Sequence, residues 1–154
     1  MLEMMRQLII ARKDLNMSAG KLAAQVAIAS VAFLSALLKN SERTLRTEGE
    51  DKYLDFKISL PENVYNDWIC GIFTKTVCQA RNRNHLMQVT YKAQELGLEK
   101  DKDFFLIKDN CKTELEPEEI AEDGVPRTLT CIGFRPLDDD VAHQLSHRYH
   151  LYVG

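Results

Sequence analysis

The stretch Leu8-Ile9-Ile10-Ala11-Arg12-Lys13-Asp14-Leu15-Asn16-Met17-Ser18-Ala19-Gly20-Lys21-Leu22-Ala23-Ala24-Gln25 decides the fold. Its first four residues are a short apolar run bounded by charge, the pattern of a buried strand. Arg12 to Ser18 leaves that strand as a polar loop, and Ser18 or Asn16 can cap the helix that follows. From Ala19 to about Lys39, Leu22, Val26, Ala29, Phe33 and Leu37 recur at helical spacing. Seven alanines and Gly20 lie between Ser18 and Leu38, and side chains that small let a helix approach a sheet closely. The pattern predicts a buried helix central to the fold. Gln25, Ser30 and Ser35 interrupt its apolar run, which falls short of the ~20 strongly apolar residues of a membrane span.

Outward from this unit, Asn40 to Asp55 is charged, contains Gly49 and reads as a loop. Tyr53 to Leu60 alternates like an edge strand and stops at Pro61. Glu62 to Ile69 reads as a short helix ending at Gly71. Phe73 to Ala80 is rich in β-branched residues, as strands are. Asn84 to Leu96 is an amphipathic helix with Gly97 as its C-terminal stop. Phe104 to Ile107 is a third core strand, Cys111 to Pro126 an acidic connection, and Thr128 to Phe134 a fourth strand. After Pro136, Asp138 caps a last helix. This order predicts a three-layer α/β/α fold on a mixed, mostly parallel four-stranded sheet. The chain reads as one domain, 1–154, with an insertion at about 40–66.

The chain has 154 residues, enough for one domain with its own core, and 45% apolar with 28% charged residues is ordinary globular composition. That excludes a disordered tail, a collagen-like rod and a small disulfide scaffold. Twenty basic against twenty-three acidic residues give −3, so any grip on nucleic acid depends on basic residues converging on one face. Cys70, Cys78, Cys111 and Cys131 contain no Cys-x-x-Cys pair and read as reduced thiols. Met1 to Arg6 lacks the basic-then-apolar order of a secretory signal. The chain reads as cytoplasmic, with no membrane partner.

Ligands of open α/β sheets collect at strand ends, where three candidates stand. Lys21, Gln25 and Ile28 share one side of the long helix, although Lys21 also reads as a solvated charge and Ile28 as a core contact. Asp109 leaves the third strand with Asn110, Lys112 and Thr113 behind it. A carboxylate there can orient or deprotonate water, and it also suits an ordinary turn. Thr128 opens the last strand and shares a face with Thr130. His143 and His147 lie one helical turn apart without an acidic or cysteine partner at motif distance, so no metal site is expected. Asp138 to Asp140 suits a helix N-terminus.

Together these segments resemble the type-2 peptidyl-tRNA hydrolase family. Arg12 to Gln25 looks like its opening strand, loop and helix start, and Phe73-Thr74-Lys75 like its second-strand region. Lys92 to Leu98 is similar to its second helix and glycine stop, Leu106 to Glu114 to its signature turn, and Thr128 to Gly133 to its closing strand. The resemblance covers most of the chain except about Asn40 to Asn66 and the acidic stretch after Glu114. It implies cleavage of the ester joining a peptide to tRNA, part of translation, without a cofactor. It marks Lys21, Asp109 and Thr128 as catalytic. Gln25, Lys75 and Ile28 would hold substrate, and basic residues at the mouth, Arg12 and Lys13 among them, would grip the tRNA backbone and its 3′ end.

Three positions depart from the family pattern. Ile28 stands where histidine is usual, Cys111 where glycine is, and Glu114 where glutamine is. Isoleucine carries no polar group, so a catalytically impaired homologue acting as a tRNA- or nucleotide-binding module stays open beside the hydrolase. So do a small-molecule-binding α/β protein and, among partners, a homodimer.

Overall fold

The computed structural model describes residues 4–154. Met1 to Glu3, which open the stretch read above for a secretory signal, lie outside them. The elements run β1 (Met5–Arg12), α1 (Ala19–Lys39), β2 (Glu42–Glu48), β3 (Asp51–Lys57), a π-helical segment (Val64–Ile72), β4 (Lys75–Ala80) and α2 (Arg83–Glu95). There follow β5 (Phe104–Asp109), β6 (Glu119–Ile120), β7 (Pro126–Phe134), β8 (Leu137–Asp138), α3 (Asp139–Ser146) and β9 (His150–Leu151).

The main sheet has the order β5-β7-β1-β4-β9, with the short β6 against β7 and β8 against β1. Of its four long strands, β1, β4 and β5 point one way. β4 pairs with β1 in parallel, and β7 runs antiparallel to both β1 and β5. β1 lies in the middle of the sheet, which is why its apolar residues are continuous rather than alternating. Leu8 and Ile10 join Leu86, Val89, Phe104 and Phe134 on the side covered by α2 and α3. Ile9 and Ala11 join Ala29, Phe33 and Trp68 on the side covered by α1 and the π-helical segment. These are the three layers expected from the sequence.

α1 spans Ala19–Lys39 as its spacing predicts, with Ser18 accepting the Lys21 backbone N–H at its cap. Its seat on β7 is unusually close. A Cβ placed on Gly133 would lie 2.5 Å from the Ala29 carbonyl oxygen and 2.9 Å from the Ala29 Cβ. Only glycine opposite alanine fits that gap. One residue further along each element, the buried Gln7 side chain donates to the carbonyls of Ser30 at 2.8 Å and Phe134 at 3.1 Å, tying β1, α1 and β7 together.

The helix is less enclosed than expected. Gln25, Ala29 and Phe33 are buried against the sheet, while Ala23, Ala24, Ala27, Ile28 and Val31 face outward and are exposed. By length and mean hydropathy α1 would pass for a membrane span, but its inner side is docked on β7 and β1.

The region read as a loop with an edge strand is a separate antiparallel hairpin, β2 with β3, closed by the two residues Gly49 and Glu50. Gly49 adopts φ +63° there, a backbone glycine takes without strain. The hairpin was hidden because its strands are mostly charged and entirely exposed, so no buried face imposes an alternation. The helix expected over Glu62 to Ile69 is present but shifted and wound wider, with Trp68 buried and donating to the Thr74 carbonyl at 2.9 Å. β6, β8 and β9 have two residues each, too few for any periodic signal.

Two glycines test this seat. Gly133→Ala should cost about 1–3 kcal/mol or more, because the added methyl meets backbone that cannot step aside. Gly20→Ala, whose methyl meets nothing within 4 Å, should raise stability by up to ~1 kcal/mol through helix propensity. Urea denaturation of both variants decides, and equal effects would contradict a close α1–β7 contact.

Candidate functional site

Asp109 ends β5 opposite Thr128 of β7, and the N-terminal turns of α1 pass over that end of the sheet. Asp109 Oδ1 accepts from the Lys21 ammonium at 2.7 Å and from the Gln25 amide at 3.2 Å. Oδ2 accepts from the Cys111 backbone N–H at 3.0 Å. The Lys21 and Asp109 side chains are only 14% and 10% exposed, so their ion pair is shielded from bulk water without being closed to it. Lys21 also donates to the Thr113 hydroxyl at 3.1 Å. A carboxylate offers about four lone-pair sites; three are taken, and Oδ2 keeps one.

Gln25 lies behind Asp109, not at the mouth. Its side chain is buried; Nε2 serves Asp109 and Oε1 accepts from the buried Thr130 hydroxyl at 2.6 Å. Expected as a substrate contact, it is a fixed link between β7 and the carboxylate. A bulge supplies this link. Ile107 pairs with Cys131 but Lys108 pairs with Leu129, which leaves Thr130 unopposed in β7. The extra residue turns Thr130 and Cys131 to the same side, and both bond Gln25, Cys131 through its thiol to the Gln25 carbonyl at 3.5 Å. Burial pushes the Cys131 thiol up to about 12, so it stays protonated.

Thr128 joins the cluster, but its hydroxyl is buried and committed. It donates to the Glu116 carbonyl and accepts from the Glu118 backbone N–H at 3.1 Å and the Cys111 thiol at 3.3 Å. Through these bonds it holds the acidic connection in place. Cys111 has φ +60°, a left-handed backbone that costs a non-glycine residue roughly 1–2 kcal/mol. That conformation aims its N–H at Asp109.

The remaining expected contacts separate from this cluster. Arg12 is buried and spent on Asp14, Glu118 and the Leu129 carbonyl, so it anchors a loop rather than gripping a phosphate. Lys13 donates to the Val153 carbonyl and lies 4.7 Å over the Tyr152 ring. Lys75 is at the opposite end of the sheet, paired with Gln7 and held over Trp68 and Phe73. Ile28 is exposed one turn beyond Gln25, beside the edge of β5. Near the mouth, Arg83 and Lys108 meet Glu119 at 3.0 and 2.8 Å, and Arg127 meets Asp123 at 2.7 Å. The acidic connection thus neutralises the basic residues around the site.

Sequence reading missed Thr130 as a partner, because strict alternation cannot show a bulge. It also missed the bond between Glu114 and the start of α1. The Ser18 hydroxyl and backbone N–H donate to the Glu114 carboxylate at 2.6 and 2.9 Å. These bonds, the hydroxyl first and the N–H second, hold its carboxyl below the usual range. Among the described residues no three His, Cys, Asp or Glu side chains gather as a metal-binding group, and His143 and His147 face each other alone at 5.8 Å.

A family model described as peptidyl-tRNA hydrolase PTH2 matches residues 5–152. The chain is similar to a peptidyl-tRNA hydrolase of Thermoplasma acidophilum, 26% identical over 149 residues, or 96% of this chain and 99% of the relative. It is 32% identical over 133 residues to a peptidyl-tRNA hydrolase of Methanopyrus kandleri, covering 86% and 85% of the two chains. A peptidyl-tRNA hydrolase of Saccharolobus islandicus is 26% identical over 138 residues, covering 90% and 91%.

The Glu114 contact gives a pH dependence of known sign. A carboxyl held low in the folded state contributes stability above the unfolded glutamate value of about 4.3, and that contribution is lost as pH falls through the folded value. Wild type should therefore exceed Glu114→Gln in stability by more at about pH 6 than at about pH 3. Parallel denaturation midpoints at both pH values would show that the contact carries no such linkage.

Proposed function

The chain belongs to the peptidyl-tRNA hydrolase PTH2 family and hydrolyses peptidyl-tRNA; on that premise we propose that Asp109 activates the attacking water and Lys21 stabilises the charge it creates. The observation that carries this reading is the asymmetry of the Asp109 carboxylate. Oδ1 is saturated by Lys21 and Gln25, while Oδ2 holds one N–H and keeps a lone pair for water. Water bound at Oδ2 gives its proton to Asp109 and attacks the ester carbonyl. The bond from that carbonyl carbon to the 3′ oxygen of the terminal ribose breaks, that oxygen takes the proton Asp109 had accepted, and the new carboxylic acid loses its proton to solvent. Free tRNA and a peptide carboxylate leave.

Lys21 uses two of its three ammonium donors on Asp109 and Thr113. The third is left for the developing oxyanion, where a donor already fixed in place and shielded from bulk water acts more strongly than one in open solvent. Gln25 and Thr130 act as positioning residues behind the carboxylate. The tRNA backbone, which needs cations and no base reading, competes with Glu119 and Asp123 for Arg83, Lys108 and Arg127. We read the protein as cytoplasmic; the free thiols of Cys70, Cys78, Cys111 and Cys131 support a reducing compartment.

Asp109→Asn tests the assignment. It keeps the shape and removes the base, so hydrolysis of N-acetyl-aminoacyl-tRNA should fall by about 10²–10⁴-fold. Binding of tRNA should hold or tighten, since Lys21 loses its carboxylate partner. Hydrolysis near the wild-type rate would remove Asp109 from the chemistry.

A further inference from the structure

An apolar groove of about 380 Å³ runs between α1 and β5, within the ~300–1,000 Å³ of small-ligand sites. Ile28, Val31 and Ala32 form one wall, and Phe105, Leu106 and Ile107 the other. Its upper end adjoins the reactive carboxylate, because Ile28 lies one turn beyond Gln25 and Ile107 two residues before Asp109. Its lower end reaches Lys39 and Asp101. From Ile28 to Lys39 the helix rises about 16 Å at ~1.5 Å per residue, the length of roughly five extended residues.

Two features argue that something covers this groove. Ile28 and Val31 are 48% and 52% exposed, an exposure of branched aliphatics that a helix face normally avoids where polar residues would serve. β5 is the outermost strand of the sheet on this side; Phe104 at its start is bridged by Lys100, and beyond it the edge offers backbone donors and acceptors of the kind an extended chain pairs with. An ester carbonyl delivered to Asp109 drags its acyl chain past Ile28, with the tRNA on the other side of the bond. A peptide whose C-terminal carbonyl is at Asp109 and whose earlier residues lie along the groove runs in the same direction as β5.

We propose that this groove is the subsite for the peptide half of the substrate, and that it selects aliphatic side chains in the residues next to the scissile ester. The proposal rests on the hydrolase reading above and goes beyond it in naming which acyl groups are preferred. Ile28 then acts as the first wall of the peptide subsite, in contact with the residue that carries the reacting carbonyl.

The test compares N-acetyl-leucyl-leucyl and N-acetyl-glycyl-glycyl groups attached chemically to one tRNA, in wild type and Val31→Asp, a change at an exposed position that leaves the core intact. Wild type should favour the leucyl substrate in kcat/KM by about tenfold or more, the discrimination an apolar pocket gives aliphatic groups. Val31→Asp should bring that ratio close to one. A wild-type ratio near one, or a ratio unchanged in Val31→Asp, overturns the proposal. Sedimentation of both forms identifies the rival occupant, since a wild-type dimer dissociated by Val31→Asp with unchanged selectivity means a second copy covers the face. If neither tRNA is hydrolysed, the hydrolase reading fails by itself. Binding of the same two dipeptides as amides of 3′-amino-3′-deoxyadenosine then decides the groove: a tenfold leucyl preference lost in Val31→Asp sustains it, and equal binding overturns it.

Discussion

The contact of Ala29 with Gly133 is the constraint from which the working geometry follows. A helix normally rides on a sheet through side chains of some bulk, but here the Ala29 backbone lies over a residue with no side chain at all. The close seat fixes α1 along β7, and every polar side chain on its inner side inherits a place from it. Gln25, one turn earlier, meets Thr130. Lys21, another turn back, meets Asp109. The small residues of α1 therefore serve the site as much as the core.

Asp109 is held by groups from three directions: α1 through Lys21 and Gln25, its own turn through the Cys111 N–H, and β7 indirectly through Thr130. A carboxylate restrained in this way has little freedom to rotate, so the open lone pair on Oδ2 points in one direction. The acidic connection plays a second part. Glu118 and Glu119 engage Arg12, Arg83 and Lys108, which pins the loop behind Thr128 and lowers the positive potential around the mouth. In the proposed binding mode a polyanionic substrate competes for those cations, which makes its binding sensitive to salt.

Much of this was legible in the sequence. The apolar run of β1, the helical spacing of α1 and the glycine stop of α2 follow from local physics, and the structure returns them with boundaries close to those expected. Lys21, Gln25 and Asp109 were legible through their places at the ends of a helix and a strand and through the family resemblance. What escaped notice depends on pairing. Thr130 turns toward Gln25 only because of a bulge, and a bulge is a property of two strands in register. The β2–β3 hairpin buries nothing, so no hydrophobic alternation announces it. Arg12 and Lys75 looked like substrate contacts because charge beside a strand is visible in a sequence, whereas the carboxylates, carbonyls and rings that occupy them come from distant segments.

Thr130, Gln25 and Asp109 form one hydrogen-bonded chain seated by α1 on β7. Single-turnover hydrolysis of N-acetyl-aminoacyl-tRNA by Thr130→Val, Gln25→Ala and the double variant tests it most directly. Valine keeps the shape of threonine and removes the one hydroxyl that orients Gln25. The account predicts a fall of roughly two- to twelvefold for Thr130→Val, the worth of one hydrogen bond, with tRNA affinity unchanged. It also predicts a double variant no slower than Gln25→Ala alone. A Thr130→Val enzyme at the wild-type rate, or losses that multiply in the double variant, would contradict it.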